Sequence, residues 1–346
     1  MQGEGKHLYG VIREEKEMDF GFTGIGERQD KVYTIHHQGL AAVVSDSPPI
    51  DYRLIPQEAV VRHLANHQYV IERVMKTHSI VPIMFGTMAE DEQEVTRILK
   101  RGYAQFDQAF EAMDDKVELE VVATWSDLDS VIKEIGDEDR IRRFREEAAS
   151  TRGEAYEAAR LELGKMVKSA LDDRRADATS ELVEALKECA VDHCPHDVMD
   201  DTMIMNVAFL IRRDEEKEFD EKVYQLDERY QGKVNFRCVG PLPPYSFSTM
   251  EIRKLSFEEV DAARNLLGLE EEATLSEVKA THRQLAHQFH PDQHPGDPQI
   301  AKRFEEITKA YRLLIDYCKE GLRTFREEDV KSYMLVRPHE LSPKRG

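Results

Sequence analysis

The sequence predicts an α+β protein of two or three domains, in which a mixed part is followed by a purely helical part. Three observations lead to this prediction. The chain has 346 residues, which is more than one average domain contains. Segments with strand and helix patterns alternate up to about residue 240. Between residues 257 and 322 only helical patterns occur.

The composition describes a strongly solvated protein that can still build hydrophobic cores. Apolar residues make up 40% of the chain, charged residues make up 34%, and the formal net charge is −20. This excess of negative charge repels nucleic acids and anionic membranes, and no basic run in the sequence opposes it. We therefore expect neither a nucleic acid nor a membrane as a partner.

Several features favour a cytoplasmic location. No apolar run approaches the ~20 residues that span a bilayer. Residues 1–17 are charged and lack the apolar core of a signal peptide. The cysteines fit a reducing compartment as free thiols. These cysteines are Cys189, Cys194, Cys238 and Cys318.

The first predicted domain, residues 1–114, combines short strands with amphipathic helices. Strand patterns occur at residues 8–12, 31–36 and 40–45, and helical patterns at 57–78 and 91–113. The apolar run at 80–84 contains Pro82, which predicts an edge strand or an irregular strand.

The second predicted domain, residues 115–250, has the order strand, helices, strand, helix, strand. The strands are predicted at 117–125, 203–211 and 233–239, and the helices within 136–190 and at 215–230. This order predicts an α+β sandwich with a helical insertion. Residues 246–256 read as a linker to a third domain at 256–322, and residues 323–346 as a polar tail.

The third domain carries the pattern of a helical hairpin. Thr274 and Glu277 have the spacing of a capping box, which predicts that a helix begins at Thr274. Asp297 and Pro298 suit the N-cap and the first position of a second helix. Each helix has one apolar face, and the loop between them, residues 290–296, is short. The two helices should therefore pack as an antiparallel pair.

Three segments of this region resemble a DnaJ-type J-domain. They are Leu266-Leu267-Gly268-Leu269, His290-Pro291-Asp292 in the loop, and the nonapeptide at 303–311 that begins Arg303-Phe304. A His-Pro-Asp tripeptide alone carries little information, but its place between two predicted helices makes it specific. The resemblance covers residues 257–322 and implies an all-α helical hairpin of the J-domain type.

The resemblance also implies a mechanism. J-domains dock on DnaK-type chaperones and stimulate their ATP hydrolysis, with the His-Pro-Asp loop as the trigger and a basic helix face as the docking surface. The chaperone-binding residues that it implies are His290, Pro291, Asp292, Lys279 and Arg283.

The sequence departs from the J-domain pattern at two positions of the basic helix face. Gln284 and Gln288 stand where lysine is common in the family. Each surface ion pair lost in this way is worth only ~0.2–1 kcal/mol, so docking is weakened and not abolished. An alternative is therefore a J-like domain that no longer activates a chaperone.

Residues 6–251 resemble the gas vesicle L/F family. The resemblance is carried by the segments Leu8-Tyr9-Gly10-Val11, 40–46, 81–87 and Gly240-Pro241-Leu242-Pro243-Pro244-Tyr245-Ser246-Phe247. The family often has tryptophan where this chain has Leu242. The resemblance implies an N-terminal α/β domain and a ferredoxin-like domain with a helical extension. It also implies binding to the gas vesicle shell protein during assembly.

Three groups of residues suggest metal sites, and each has a simpler interpretation. His290, Asp292 and His294 lie in one loop, with His287 nearby, but the J-domain pattern already accounts for two of them. His63 and His67 have protease-like spacing without the glutamate, which favours a helix with two surface histidines. Cys189, His193, Cys194 and His196 lack a common zinc spacing, so buried or idle thiols are favoured.

These patterns lead to three hypotheses about function. The first is a gas vesicle assembly factor that binds shell or accessory proteins and recruits a DnaK-type chaperone. The second is a purely structural vesicle component with a degenerate J-like module. The third is a metal-dependent enzyme that uses the histidine-rich loop. The first is favoured, with no catalytic residue, metal or other cofactor expected.

Overall fold

The protein was analysed as a computed structural model. The structure describes residues 5–25, 31–294, 297–319, 321, 324–331 and 333–339. They divide into two compact units. Of the described residues, the first unit comprises those up to Val70, Ile83–Asp107 and those from Met250 onwards, and the second comprises Ile71–Pro82 and Gln108–Thr249. No helix among the described residues has the length and apolar character needed to cross a bilayer.

The strands and helices follow one another as the sequence predicts in most places. The strands are β1 (Gly5–Arg13), β2 (Asp19–Thr23), β3 (Lys31–His37), β4 (Leu40–Ser47), β5 (Ile80–Pro82), β6 (Met88–Ala89), β7 (Lys116–Trp125), β8 (Asp192–Pro195), β9 (Met203–Arg212), β10 (Val234–Leu242), β11 (Met250–Lys254) and β12 (Met334–Pro338). The helices are α1 (Gln57–Met75), α2 (Glu92–Arg101), α3 (Tyr103–Met113), α4 (Leu128–Gly136), α5 (Asp139–Ala148), α6 (Glu154–Leu186), α7 (Glu216–Tyr230), α8 (Tyr245–Ser248), α9 (Phe257–Leu267), α10 (Leu275–Gln288), α11 (Pro298–Lys319) and α12 (Glu327–Lys331).

The first unit is built around an antiparallel sheet. Its strands lie in the order β2-β3-β4-β1, and β6 pairs with the opposite side of β1. The two central strands, β1 and β4, are buried along most of their length because both faces of the sheet are covered. The α+β class with antiparallel sheets is therefore confirmed for this part of the chain.

The segment at 91–113 forms two helices instead of the single helix that its apolar spacing predicts. Helix α2 ends with Gly102 as its C-cap, and the N–H of Gly102 donates to the carbonyl oxygen of Ile98. A Cβ atom at Gly102 would lie 2.5 Å from Val336 Cγ1 and 2.7 Å from Phe106 Cε2. The helix is interrupted there because only glycine allows such a close approach. The spacing of apolar residues along the sequence does not show this approach.

The second unit contains the predicted ferredoxin-like domain. Its four strands are antiparallel and lie in the order β10-β7-β9-β8. In chain order, helices follow β7, then come β8 and β9, then α7 and β10, which is the split βαβ arrangement. The helical insertion is formed by α4, α5 and α6, and Ile135, Ile141 and Leu171 form its own small core.

Gly240 occupies a position in β10 that favours glycine. Its φ of +153° lies in a region that side chains disfavour, and a Cβ there would lie 2.8 Å from the carbonyl oxygen of Glu118. The register between β10 and β7 shifts at this point, between Val239 and Leu242. A glycine is therefore required at this irregularity of the strand.

Two predictions about the C-terminal part of the chain are wrong. The predicted linker at 246–256 contains the end of α8 and the strand β11. The predicted polar tail at 323–346 contains α12 and β12, and β12 pairs with β11 in antiparallel register. Tyr333, Leu335 and Val336 are buried, which explains why this short apolar stretch is ordered.

The prediction that His63 and His67 lie on the surface is also wrong. Both are buried, and His67 is only 3% exposed. The i, i+4 spacing places them on one face of α1, and this face is turned into the first unit. There the Nδ1 atom of His67 lies 2.9 Å from Nε2 of His7, and its Nε2 atom lies 3.2 Å from the carbonyl oxygen of Ile83.

Candidate functional site

Helices α9, α10 and α11 form the predicted helical hairpin with a third helix packed against it. Val260 and Leu267 of α9, Val278 of α10, and Ile307 and Leu314 of α11 are all buried in one core. These residues recur at helical spacing, so each helix presents one apolar face to the others. The hairpin is therefore held by ordinary hydrophobic packing and can present its loop to solvent.

The predicted helix starts are confirmed. The hydroxyl oxygen of Thr274 accepts from the backbone N–H of Glu277, and the Glu277 carboxylate accepts from the N–H of Thr274 at 2.6 Å. This reciprocal capping box fixes the start of α10. At the second helix, Asp297 Oδ1 accepts from the N–H of Gln299 at 2.8 Å.

The tripeptide His290-Pro291-Asp292 lies at the tip of the hairpin, where a single 3-10 turn begins. The Nδ1 atom of His290 accepts from the backbone N–H of Asp292 at 3.2 Å. The His290 ring contacts Phe304 of α11 edge to face, with the ring centroids 5.5 Å apart. The side chains of His290 and Asp292 are 44% and 87% exposed, respectively. The loop is thus braced internally while its polar groups remain accessible.

A second brace lies on the far side of the tripeptide. His294 Nε2 lies 3.2 Å from the carbonyl oxygen of Gln288, the last residue of α10. Six residues before Gln288, the ring of His282 stacks on Tyr311 of α11 with the centroids 3.8 Å apart. These contacts fix the end of α10 relative to α11. Residues 295 and 296 of the predicted loop lie outside the described residues.

The two predicted docking cations lie on one exposed face of α10. Lys279 and Arg283 are one turn apart and both are exposed. Within the described part of the chain, neither has an ion-pair partner that would neutralise it. Gln284 and Gln288 are exposed as well, so the missing lysines reduce the positive charge of a surface that is open to a partner.

The residues of the other two suggested metal groups make other contacts. Across the described ranges, no group of three or more His, Cys, Asp or Glu side chains is placed to hold a metal ion. The ring of His193 stacks at 6.3 Å on Phe209, while His196 Nε2 lies 3.1 Å from Ser246 Oγ. The thiol of Cys189 is free.

Sequence reasoning missed one buried ionisable residue of the second unit. Glu118 accepts hydrogen bonds from the backbone N–H of Ser246 at 2.7 Å and from its hydroxyl at 2.8 Å. Burial raises the pKa of Glu118 to about 7, although the two bonds from Ser246 act in the opposite direction. The residue anchors the segment after Gly240, and the available signal was a carboxylate inside the apolar strand pattern of β7.

The fold and the site define a class of protein: an α+β scaffold with antiparallel sheets that carries an additional helical hairpin with an exposed His-Pro-Asp loop. Comparison with known families agrees with both parts. The model of the family described as gas vesicle synthesis protein GvpL/GvpF matches residues 5–249, and the DnaJ domain model matches residues 265–320. The chain belongs to the GvpL/GvpF family and carries a J-domain at 265–320.

Individual relatives show the same division. Gas vesicle protein F of Streptomyces sp. (strain CB03234) is 30% identical over 242 residues, which cover 70% of this chain and 98% of that protein. Gas vesicle protein F of Haloferax mediterranei is 21% identical over 249 residues, covering 71% of this chain and 94% of that protein. DnaJ homolog subfamily C member 5B of Sus scrofa is 34% identical over 88 residues, covering 22% of this chain and 44% of that protein.

A solved structure shares the fold of the first two-thirds. The crystal structure of the gas vesicle protein GvpF from Anabaena sp. PCC7120 superposes with a TM-score of 0.62 at 22% sequence identity. It covers 71% of this chain and 99% of that chain. The predicted resemblances, at 6–251 and 257–322, are confirmed within a few residues at most boundaries, and neither matched family is one of enzymes.

Proposed function

We propose that this protein is a gas vesicle assembly factor that works in the cytoplasm at growing vesicles. Its GvpL/GvpF part binds shell or other accessory subunits, and its J-domain recruits a DnaK-type chaperone to them. The proposal rests on one observation above all. The His290-Pro291-Asp292 loop is exposed at the tip of a well-capped helical hairpin, and Lys279 and Arg283 lie on an exposed face of α10, the helix that leads into this loop.

The combination of the two parts has a physical reason. A shell subunit that excludes water from a gas space needs an apolar face, and before assembly this face promotes aggregation. A chaperone held next to the subunit reaches a high effective concentration at that face. One chain that binds both would thus protect the subunit where it is needed.

The residues of the site have separate roles in this proposal. Lys279 and Arg283 attract an acidic surface of the chaperone and set the rate of encounter. His290 and Asp292 act after docking, since their side chains are held by the loop in a defined arrangement. The protein itself makes and breaks no bond, because ATP hydrolysis takes place in the chaperone.

The ATPase rate of a cognate DnaK-type chaperone tests the proposal. We expect the full-length protein to stimulate the rate and His290→Gln to lose the stimulation. The matched control is His339→Gln, which makes the same change at an exposed histidine outside the J-domain. If His290→Gln stimulates as well as the unchanged protein, chaperone recruitment through this loop is refuted.

Gln284 and Gln288 support a second candidate, a structural vesicle component whose J-domain has lost its chaperone. A gain-of-function variant separates the two candidates. If the J-domain is active but weak, Gln284→Lys with Gln288→Lys should tighten chaperone binding about tenfold, because two charges are restored. Co-sedimentation with vesicles, without chaperone binding by either form, would select the structural candidate.

A further inference from the structure

A second surface of the first unit carries positive charge that the sequence does not reveal. A cavity of about 660 Å³ lies between α2, β11 and α12, and we refer to it as the basic groove. Its cationic side chains are Arg97, Lys100, Arg101, Lys254 and Lys331. Only two carboxylates, those of Glu90 and Glu94, line it as well. The groove is therefore locally positive in a chain whose net charge is −20.

Part of this charge is available to a ligand. Lys254 Nζ lies 2.6 Å from Glu90 and 2.8 Å from Glu94, so its charge is compensated. The side chains of Arg97 and Lys100 are exposed, and within the described ranges these side chains make no hydrogen bond or ion pair. They lie three residues apart on α2 and thus on the same side of the helix.

The remaining cations define the floor and the far wall of the groove. The guanidinium carbon of Arg101 lies 3.9 Å from the ring centroid of Tyr333, so this side chain is held in place. Lys331 pairs with Glu327 on its own helix. The groove therefore has a braced part, at Arg101 and Tyr333, and an exposed charged rim.

One side of the groove is an open strand edge. The N–H of Met84 donates to the carbonyl oxygen of Met250 at 2.9 Å, which marks the side of β11 that β12 does not cover. Because backbone groups alternate along a strand, those of Ile252 and Lys254 point to this same side. Beyond Met250, no described strand pairs with this edge. Its donors and acceptors can add a further strand.

A second cavity, with a partly apolar lining, continues the groove along the same edge. It has a volume of about 490 Å³, shares Glu90, Glu94, Lys254 and Met334 with the basic groove, and is also lined by Glu251 and Arg253. Its apolar lining includes Met84, Phe85 and Ile252. A ligand that lies along β11 would thus meet cations at one end and apolar side chains at the other.

The groove depends on parts of the chain that lie outside the GvpL/GvpF match. This match ends at residue 249, whereas β11, α12 and β12 follow it. Only α2 and the segment around Met84 come from inside the match. The groove is consequently formed where the family scaffold and the chain around the J-domain meet within the first unit.

From these features we infer that the basic groove binds an extended acidic peptide segment of a partner protein. The segment adds as a strand to the free edge of β11, its carboxylates contact Arg97 and Lys100, and its apolar side chains enter the adjoining cavity. A peptide fits better than a nucleic acid, because a long polyanion meets the negative charge of the remaining surface. A short segment experiences mainly the local field, within a Debye length of ~8–10 Å. This inference is independent of chaperone docking.

Fluorescence anisotropy tests the charge part of the inference. The probe is a labelled peptide in which glutamate and valine alternate, added to the full-length protein. We expect saturable binding that weakens with salt, and a loss of affinity of about tenfold in Arg97→Glu with Lys100→Glu. Arg140→Glu with Arg143→Glu is the matched control, because these arginines have the same spacing on α5 and are equally exposed.

Comparison ligands and a second measurement keep the inference falsifiable. Equal binding of a valine–lysine peptide, or of single-stranded DNA with the same loss in the α2 variant, would overturn it. Hydrogen exchange tests the strand edge, because an added strand protects the amides of Ile252 and Lys254. Peptide binding without protection at these residues would contradict strand addition. Since the peptide assay needs no chaperone, its failure is distinguishable from failure of the proposed function.

Discussion

Two buried sites, one in each unit, hold ionisable groups of opposite kinds. The site in the first unit contains the neighbouring histidines His7 and His67, and the site in the second contains the carboxyl group of Glu118. Burial favours the neutral form in both cases, since a charge loses its hydration in the interior. A neutral histidine has lost a proton, whereas a neutral carboxyl group has gained one. The same physical cause therefore gives the two units opposite responses to pH.

In the first unit, burial lowers the pKa of His7 well below its usual value, and repulsion from His67 adds to this. Burial likewise lowers the pKa of His67 to about 4. The unfolded chain therefore binds more protons than the folded protein between about pH 4 and 6.5. The stability of this unit is present above the unfolded pKa and is lost as the pH falls through that range.

In the second unit the sign is reversed. The pKa of Glu118 is raised to about 7, so the folded protein holds a proton that the unfolded chain releases above about pH 4.5. The contribution of this group is fully present below the unfolded pKa and is lost as the pH rises through 7. The comparison teaches that burial of an ionisable group can make one unit less stable at low pH and the other less stable at high pH.

The largest expected effect concerns the histidine pair. Lowering the pH from 6.5 to 4 should destabilise the first unit by roughly 3 kcal/mol through His67, as about 1.4 kcal/mol is lost per pH unit and proton, and His7 should add to this loss. Hydrogen exchange of the β1 amides as a function of pH measures this loss. In His67→Gln, the slope of the unfolding free energy against pH should decrease by the amount expected for one proton. An unchanged slope would show that the pair does not titrate on unfolding.

The second prediction concerns Glu118 and uses Trp125, the only tryptophan of the chain, as a probe in β7. Between pH 5 and 8, unfolding followed by its fluorescence should show a loss of stability on the order of 2 kcal/mol. Glu118→Gln should remove most of this pH dependence, because glutamine has no proton to release. Glu120→Gln, two residues along the strand and partly exposed, is the control and should retain most of the dependence, because repulsion from Glu120 is only a minor cause of the raised pKa of Glu118.

The third prediction compares a glycine substitution in the first unit with a glycine substitution in the second. Gly102→Ala should destabilise the protein by ~2 kcal/mol, because the new methyl group overlaps Val336 and Phe106. Gly164→Ala is the matched control. Apart from its own helix backbone and chain neighbours, no atom of the described residues lies within 4 Å of its added Cβ, and the exchange should stabilise α6 by ~0.5–1 kcal/mol. Urea unfolding measures both. A neutral Gly102→Ala would refute the close approach to β12.

The smallest effect is expected at the start of α10. Thr274→Ala removes the capping box and should cost about 1 kcal/mol. Thr281→Ala, in the middle of the same helix, should change stability by only a few tenths of a kcal/mol. Hydrogen exchange of the α10 amides distinguishes the two variants. Equal exchange in both would show that the cap does not limit the opening of this helix.

The amino-acid sequence by itself determined much of the local structure. Most strands and helices, the capping box at Thr274 and the place of His290-Pro291-Asp292 between two helices follow from periodicity and from residues that are close in the chain. Such signals are local, because side chains at i and i+3 or i+4 meet on a helix whatever the remaining fold is. The fold class and the two families could be predicted for this reason.

Only the tertiary structure decided the burial of His67, the pairing of β11 with β12 and the assembly of the basic groove. In the sequence, His63 and His67 resemble any polar pair on a helix, and Arg97 lies far from Lys331. What brings these residues together is the packing of apolar faces between segments that are distant in the chain. No local pattern records which faces meet, so these features became visible only in the folded molecule.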